Sequence, residues 1–390
     1  MKSLASLAAL LLAAIAVAPA SAAELAVRFS PAKAVYSFEV EPNRGLANAL
    51  LQNIAVVNSS GKSVTLEQIT IEVLRSGEPV LTKTLFAADL AKAATRGQRL
   101  EQAGMLQAFA FHFHPETLLG RDVRLSPTAE LAPGTALLVG HQVLSLSGPA
   151  EQVRVWANGK SDGNMVTAEA SLPIDSTGSK NEYDFPLAGR SFIGAGATLH
   201  SHHRWAAPEE FALDIVRLGE GGGSFKGQGN RNADYYAYGA EILAAADGKV
   251  VAVKDDQAEP ESFLRQPGES PEAFGNRVQL RQAELVAQGI SSIVGNVVVI
   301  EHAHGEHSTY AHLAPGSLRV KVGDAVRRGQ PIAKLGNSGN STEPHLHFQI
   351  TDGPDPLFSA GIPPRFRNAT LPWADFPRQL QTGDIVEVGQ

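Results

Sequence analysis

Two short runs concentrate the histidines: Pro344-His345-Leu346-His347-Phe348 and His307-Ser308-Thr309-Tyr310-Ala311-His312-Leu313. Two histidines two residues apart on a strand share a face, roughly 7 Å apart along the chain. The second run is apolar and β-prone, and it brings a third imidazole, His312. Neutral imidazole is the commonest metal ligand and also carries protons near neutral pH. Three histidines grouped in this way predict metal-assisted hydrolysis.

An acid is available to join them. Asp214 lies between Leu213 and Ile215 in an apolar run, so its side chain is expected to point inward with Ala212 and Val216. A buried carboxylate needs a cation or hydrogen-bond donors. Upstream runs Leu199-His200-Ser201-His202-His203-Arg204-Trp205. Asp214 therefore either pairs with Arg204, leaving the histidines on the surface, or joins one of His200, His202 and His203 and a later histidine around a metal. A His2Asp set with an open fourth position suits catalytic zinc.

Composition narrows the classes. The chain has 390 residues, room for two or three cores. A net charge of −7 supplies no positive field for nucleic acid or anionic lipid. There is no cysteine, which excludes disulfides, thiolate nucleophiles, Cys-type zinc sites and a lipid-anchoring cysteine. Lys2, the apolar stretch Leu4 to Val17 and the small-residue box Ala20-Ser21-Ala22 predict a cleaved signal peptide over 1–22. No later run reaches the roughly 18 apolar residues of a membrane helix. The mature protein is expected to be soluble and exported, without a membrane span.

The elements that must position the site divide at about residue 175. Over 23–175, short β-prone runs (Val35-Glu41, Asn53-Asn58, Ile69-Arg75, Leu137-Leu146, Gln152-Asn158) alternate with turn residues, and Leu85-Arg96 and Leu100-Ala108 read as helices. An N-terminal β-sandwich with some helix is expected, then a linker over 176–182. From Tyr183 the runs Phe211-Val216, Val250-Val253, Asn296-His302, Ser308-Leu313, Leu318-Val322, Pro331-Leu335 and His345-Ile350 predict an antiparallel β domain over 183–365, followed by a C-terminal extension, 366–390. An insertion at 254–294 interrupts it, first charged and Pro-containing, then helical from a Ser270 cap to Gly289. It reads as a lid or a loose surface loop. His112-Phe113-His114 reads as incidental strand histidines, and His302, His304 and His307 as a solvated turn.

Several motifs together resemble a known family. Asp247-Gly248-Lys249-Val250-Val251, Gly295-Asn296 through His302, Tyr310-Ala311-His312-Leu313, Val322-Gly323-Asp324 through Gln330, Leu335-Gly336-Asn337-Ser338-Gly339 and His345-Leu346-His347-Phe348 occur in the order of the lysostaphin-like (M23) zinc peptidases. The resemblance covers about Asn181 to Pro364. It implies a compact antiparallel β fold with a groove and one zinc per chain held by His203, Asp214 and His347. It makes His312 and His345 the two catalytic histidines that are not ligands. Here His203 and Asp214 stand eleven residues apart, where the family usually has four, so His200 and His202 stay open as alternatives.

By this resemblance the protein is expected to be a periplasmic zinc endopeptidase that hydrolyses peptide cross-links of peptidoglycan. The other class is a catalytically inactive relative that activates a second wall hydrolase. A protein partner, or self-inhibition through the N-terminal domain, is the further expectation about partners.

Overall fold

The structure is a computed structural model that describes residues 25–41, 45–374 and 378–389. The signal-peptide reading over 1–22 lies outside the described residues. The architecture is mainly β, as the sequence predicts. Among the described residues no helix is long and apolar enough to cross a membrane.

In the N-terminal region the strand Leu46–Asn58 is central. Thr135–Ser147 pairs along one edge, and Leu25–Ser30 and Val35–Glu41 share the other. A second antiparallel layer pairs Val64–Arg75 with Glu78–Leu85 and Gln152–Ser161, and the latter with Asn164–Asp175. A two-residue parallel pairing of Ile174 and Asp175 with Val35 and Tyr36 joins the layers. Ile54, Val56, Ile69, Ile71, Val153 and Val155 fill the core between them. On the opposite face of the first layer, Ala55 and Val57 pack on Leu106, Leu118 and Leu119 from the helical segment. Burial on both faces explains why Ile54–Val57 is continuously apolar rather than alternating. The first predicted helix does not stop at Arg96. It runs Ala87–Gln102, and a shorter helix, Met105–Ala108, follows Gly104, whose φ of 68° turns the chain between them.

The second sheet runs in the order Ala325–Val326, Gly248–Lys254, Asn296–Glu301, His307–Leu313, Leu346–Thr351, Leu213–Arg217, Gly189–Ala195, Ile385–Val388, with neighbours antiparallel. The C-terminal segment therefore supplies an edge strand. Ile215, Val298, Tyr310, Leu346, Phe348 and Ile350 fill the core beneath. Leu318–Val322 is not a strand: only Arg319 bonds across, to the Ile332 carbonyl, before the chain turns at Gly323.

The insertion is anchored. Gln257 exchanges bonds with Asn296 and reaches the Ser292 carbonyl, and Glu259 takes the Asn337 N–H and the Tyr238 hydroxyl. Its helix, Pro271–Gln288, is capped by Ser270 as the sequence predicts. Gly339, at φ +76°, lies where a Cβ would come within 2.5 Å of the Ile293 carbonyl oxygen. Only glycine allows that approach, and it fixes the loop bearing Ser338 against the end of the insertion.

The remaining histidine runs differ from expectation. His112 and Phe113 sit in a short helical turn, Ala110–Phe113, and His114 is left-handed. The His302 to His307 turn is not simply solvated. Buried His302 bonds the Asp247 carbonyl and the Ser308 hydroxyl, while His304 stays exposed.

Candidate metal centre

Register brings the acid and a histidine together. Leu346–Thr351 lies between Leu213–Arg217 and His307–Leu313, with His347 directly opposite Asp214 on one side and Ala311 on the other. Alternation sends Leu346, Phe348 and Ile350 into the core and His347 and Gln349 to the groove. The same alternation would send His312 inward with Tyr310. Instead His312 has φ +61°, and the pairing with Asn296–Glu301 is irregular there. This bulge re-aims the imidazole into the groove at a backbone cost of roughly 1–3 kcal/mol.

His203, Asp214, His312, His345 and His347 all line one cavity of about 500 Å³. His203 Nε2 stands 3.5 Å from Asp214 Oδ2, and His347 Nδ1 stands 3.2 Å from Asp214 Oδ1. His345 Nε2 is 3.4 Å from Asp214 Oδ1. The His312 and His345 rings lie 4.8 Å apart. Asp214 therefore sits among histidines, and Arg204 pairs with Glu210 instead, at 2.6 Å. Of the three upstream candidates, His203 is buried, His202 is 74% exposed with Nε2 3.9 Å from Asp214, and His200 is exposed. Among the described residues, His202, His203 and Asp214 alone bring three ligand atoms within 4.8 Å of one another. The buried pair His203 and His347 offers the better shielded set.

Hydrogen bonds set the tautomers. Gln349 donates its amide N–H to the Pro356 carbonyl, so its oxygen faces His347 and accepts from Nε2–H. His347 Nδ1 faces Asp214 Oδ1 at 3.2 Å, donating its proton to that carboxylate when no metal is bound and leaving this nitrogen as the one a metal would take. Such an outer partner orients a metal-binding histidine. His312 Nδ1–H donates to the Ser338 carbonyl and His345 Nδ1–H to the Glu343 carbonyl. This leaves Nε2 of both as the basic nitrogen.

Charge follows geometry. Burial lowers His203 to about 4, so it is neutral and free to coordinate. Burial would raise the Asp214 carboxyl, yet the surrounding histidines outweigh it and hold it well below the usual range. Against its own burial, His347 is pushed up to about 9 by Asp214. Burial, with His345 and His347 beside it, keeps His312 well below the ordinary imidazole value. His345 is raised by Asp214 despite burial.

The donor set fits zinc. A tetrahedral ion with bonds of about 2.0–2.1 Å keeps its donors roughly 3.3 Å apart; the two histidines stand 3.5 and 3.2 Å from different oxygens of Asp214. The set with His347 would draw together on an ion, since among the described residues only the set with His202 has all three ligand atoms within 4.8 Å. His203 Nδ1 is buried without a hydrogen-bond partner among the described residues, so its Nε2 is left as the ring's only engaged nitrogen. Alanine at His203 is expected to abolish metal binding, while His200→Ala and His202→Ala keep about one zinc per chain. Elemental analysis of the three proteins checks this, and zinc lost from His202→Ala alone would move the ligand by one residue.

Comparison with known proteins now adds to the geometry. Residues 280–357 match the model of Peptidase family M23. That segment is similar to the M23 peptidases. That span includes His312, His345 and His347 but neither Asp214, which sheet pairing adds, nor His203, which a 3₁₀ turn supplies. Peptidoglycan DD-endopeptidase ShyA of Vibrio cholerae is 39% identical over 80 residues, 20% of this chain and 16% of that protein. Murein hydrolase activator EnvC of Escherichia coli is 48% identical over 56 residues, 14% of this chain and 13% of that one. DD-carboxypeptidase/endopeptidase Mpg of Neisseria meningitidis is 40% identical over 95 residues, 24% of this chain and 21% of that one. The chain thus spans about a fifth or less of these relatives' lengths. Among solved structures, the catalytic domain of lysostaphin from Staphylococcus simulans aligns over 45% of this chain and 88% of that chain, at 18% identity and a TM-score of 0.24, too loose an overlay to carry an argument.

The walls of the groove were not legible in the motifs. Phe109 and His112 reach it from the N-terminal helical segment, and Val278 and Gln282 from the helix of the insertion. His112, read as incidental, thus borders the site, and its His-x-His spacing alone does not tell a groove residue from a bystander.

Proposed function

We propose that this protein is an exported, zinc-dependent M23 endopeptidase that hydrolyses peptide cross-links of peptidoglycan in the periplasm. His203, Asp214 and His347 hold the metal, one per chain, and His312 and His345 handle protons. The observation that carries this reading is the convergence of all five side chains on one cavity, with each later imidazole oriented by a hydrogen bond on its far nitrogen.

Zinc in this set supplies a Lewis acid for the scissile carbonyl and lowers the pKa of a water towards neutrality. The chain's own groups do the rest. Gln349 keeps His347 Nδ1 free to coordinate. The Ser338 and Glu343 carbonyls leave Nε2 of His312 and His345 as proton acceptors. One of them takes the proton of the attacking water. The other, once protonated, donates to the oxyanion. The cavity walls keep the reacting amide apart from bulk water.

The substrate class follows from the named activities of ShyA and Mpg and from the exported location. In a Gram-negative wall the main target is the D-Ala to diaminopimelate cross-link. Purified sacculi treated with the wild type are expected to lose cross-linked muropeptide dimers and gain monomers, with glycan strands intact, while His345→Ala leaves the dimers. Chromatography of the digests reads this out. The similarity to EnvC defines the opposing result. If the wild type leaves dimers untouched and both proteins stimulate an added amidase equally, the chain is an activator and the peptidase reading fails.

A further inference from the structure

The eleven-residue step from His203 to Asp214 leaves a loop outside the strand pairing, tied to the sheet by the Gly361 N–H on the Ala207 carbonyl at 2.9 Å. His203 belongs to a 3₁₀ turn, His202–Trp205, and the strand resumes only at Leu213. The stretch next to His203 is gripped from the opposite end of the chain. Gln52, fully buried on the central strand of the N-terminal region, donates from Nε2 to the Arg204 carbonyl at 2.9 Å and to Glu210 Oε2 at 3.0 Å. His112 Nδ1 and His141 Nε2 both reach the Trp205 carbonyl, at 3.2 and 3.1 Å. A carbonyl only accepts, so both ring nitrogens carry protons there. Arg204 closes the loop on itself through Glu210, and its guanidinium lies over Phe38, 4.6 Å from the ring, and Phe211, at 5.0 Å.

We infer that the N-terminal strands form a positioning clamp for the zinc ligand His203, with Gln52 and His141 as positioning residues that act through the carbonyls of Arg204 and Trp205. The inference rests on the reading of His203 as a ligand. The physical need is plain. A loop of this length has many backbone conformations, and each residue fixed costs about 1–2 kcal/mol. His203 Nδ1 has no acceptor to orient its ring, unlike His347, which has Gln349. Orientation of His203 must therefore come through its backbone, and the next two carbonyls are the ones held from the N-terminal side. The N-terminal region thus completes the metal site rather than merely covering it.

The test uses the full mature chain. Gln52→Met keeps the volume and removes both donated bonds. His141→Asn removes the reach to Trp205, and asparagine tolerates the left-handed φ of 50° at this position. Val155→Ala, in the sandwich core away from the loop, controls for general loss of stability. Zn²⁺ affinity is measured by chelator competition on the metal-free proteins, and the visible spectrum is recorded with Co²⁺ in place of zinc. Partners of this kind change metal affinity by about 10–100-fold. Gln52→Met or His141→Asn is expected to weaken zinc about tenfold or more and alter the Co²⁺ bands, while Val155→Ala changes neither. Wild-type affinity and spectrum in both folded variants would overturn the clamp. So would unchanged zinc affinity with faster cleavage of sacculi, since that marks a gate. If the wild type itself binds no zinc, the functional reading fails and not the clamp alone.

Discussion

Asp214→Ala and His347→Ala proteins are expected to be free of zinc and to leave cross-linked muropeptides intact. Each substitution removes one of the three proposed protein ligands, so the loss of affinity should exceed the roughly 10–100-fold cost of removing an outer partner. Asp214 has a second task. It is the only carboxylate facing Nε2 of His203, Nδ1 of His347 and Nε2 of His345 at 3.2 to 3.5 Å among the ion pairs described. Without it the imidazoles keep only the more distant Glu209 as compensating charge. His312→Ala is the contrast. Its ring makes no described pair with Asp214, so zinc should stay near one per chain while turnover falls by about 10²–10⁴, the usual worth of a general acid or base. Elemental analysis and single-substrate turnover, measured on the same preparations, separate the two classes. Full zinc in Asp214→Ala would sink the ligand assignment.

The second large effect is on stability. Glu210→Ala should destabilise the protein by about 3–5 kcal/mol, the usual cost of leaving a buried charge without its partner. Arg204 has no exposed side-chain surface, and its Nε and Nη2 have no hydrogen-bond partner among the described residues. Burial pushes the Glu210 carboxyl up and Arg204 opposes it; at 2.6 Å the two form an ion pair. Replacing both members with apolar residues of similar size, Arg204→Met with Glu210→Leu, should recover most of the loss, because two desolvation costs vanish together. Urea unfolding of the metal-free proteins measures both. A Glu210→Ala variant within about 1 kcal/mol of the wild type would contradict the uncompensated-charge argument.

Much of the catalytic sheet was legible because its signals are local. His345-x-His347 shares a face by the period of a strand, Asp214 between Leu213 and Ile215 cannot be buried alone, and Ser270 with Gly289 brackets a helix. The resemblance to M23 peptidases rested on such short pieces in order, and the matched span, 280–357, holds most of them. The N-terminal sandwich was readable from alternation and turn residues, apart from the helix end, where Gly97, buried against Leu125, lets the first helix continue past Arg96.

Other features needed the tertiary structure. Strand parity alone aims His312 into the core, and only the bulge with φ +61° turns it to the groove. The resemblance favoured His203 but left His200 and His202 open, and burial separates them, because the loop fold that hides His203 leaves His202 and His200 in water. Arg204 could pair with Asp214 or with Glu210, and the choice followed from which side of the loop faces Phe38 and Gln52. His112 borders the site from about 90 residues away in sequence, through a contact with Trp205 that no local pattern encodes. By itself the sequence determined the chemistry, since residue types and short spacings decide which donors exist and which share a strand face. Only the tertiary structure decided which donors meet and what holds them, because those contacts join segments far apart in the chain, where packing and desolvation rather than periodicity choose the partner.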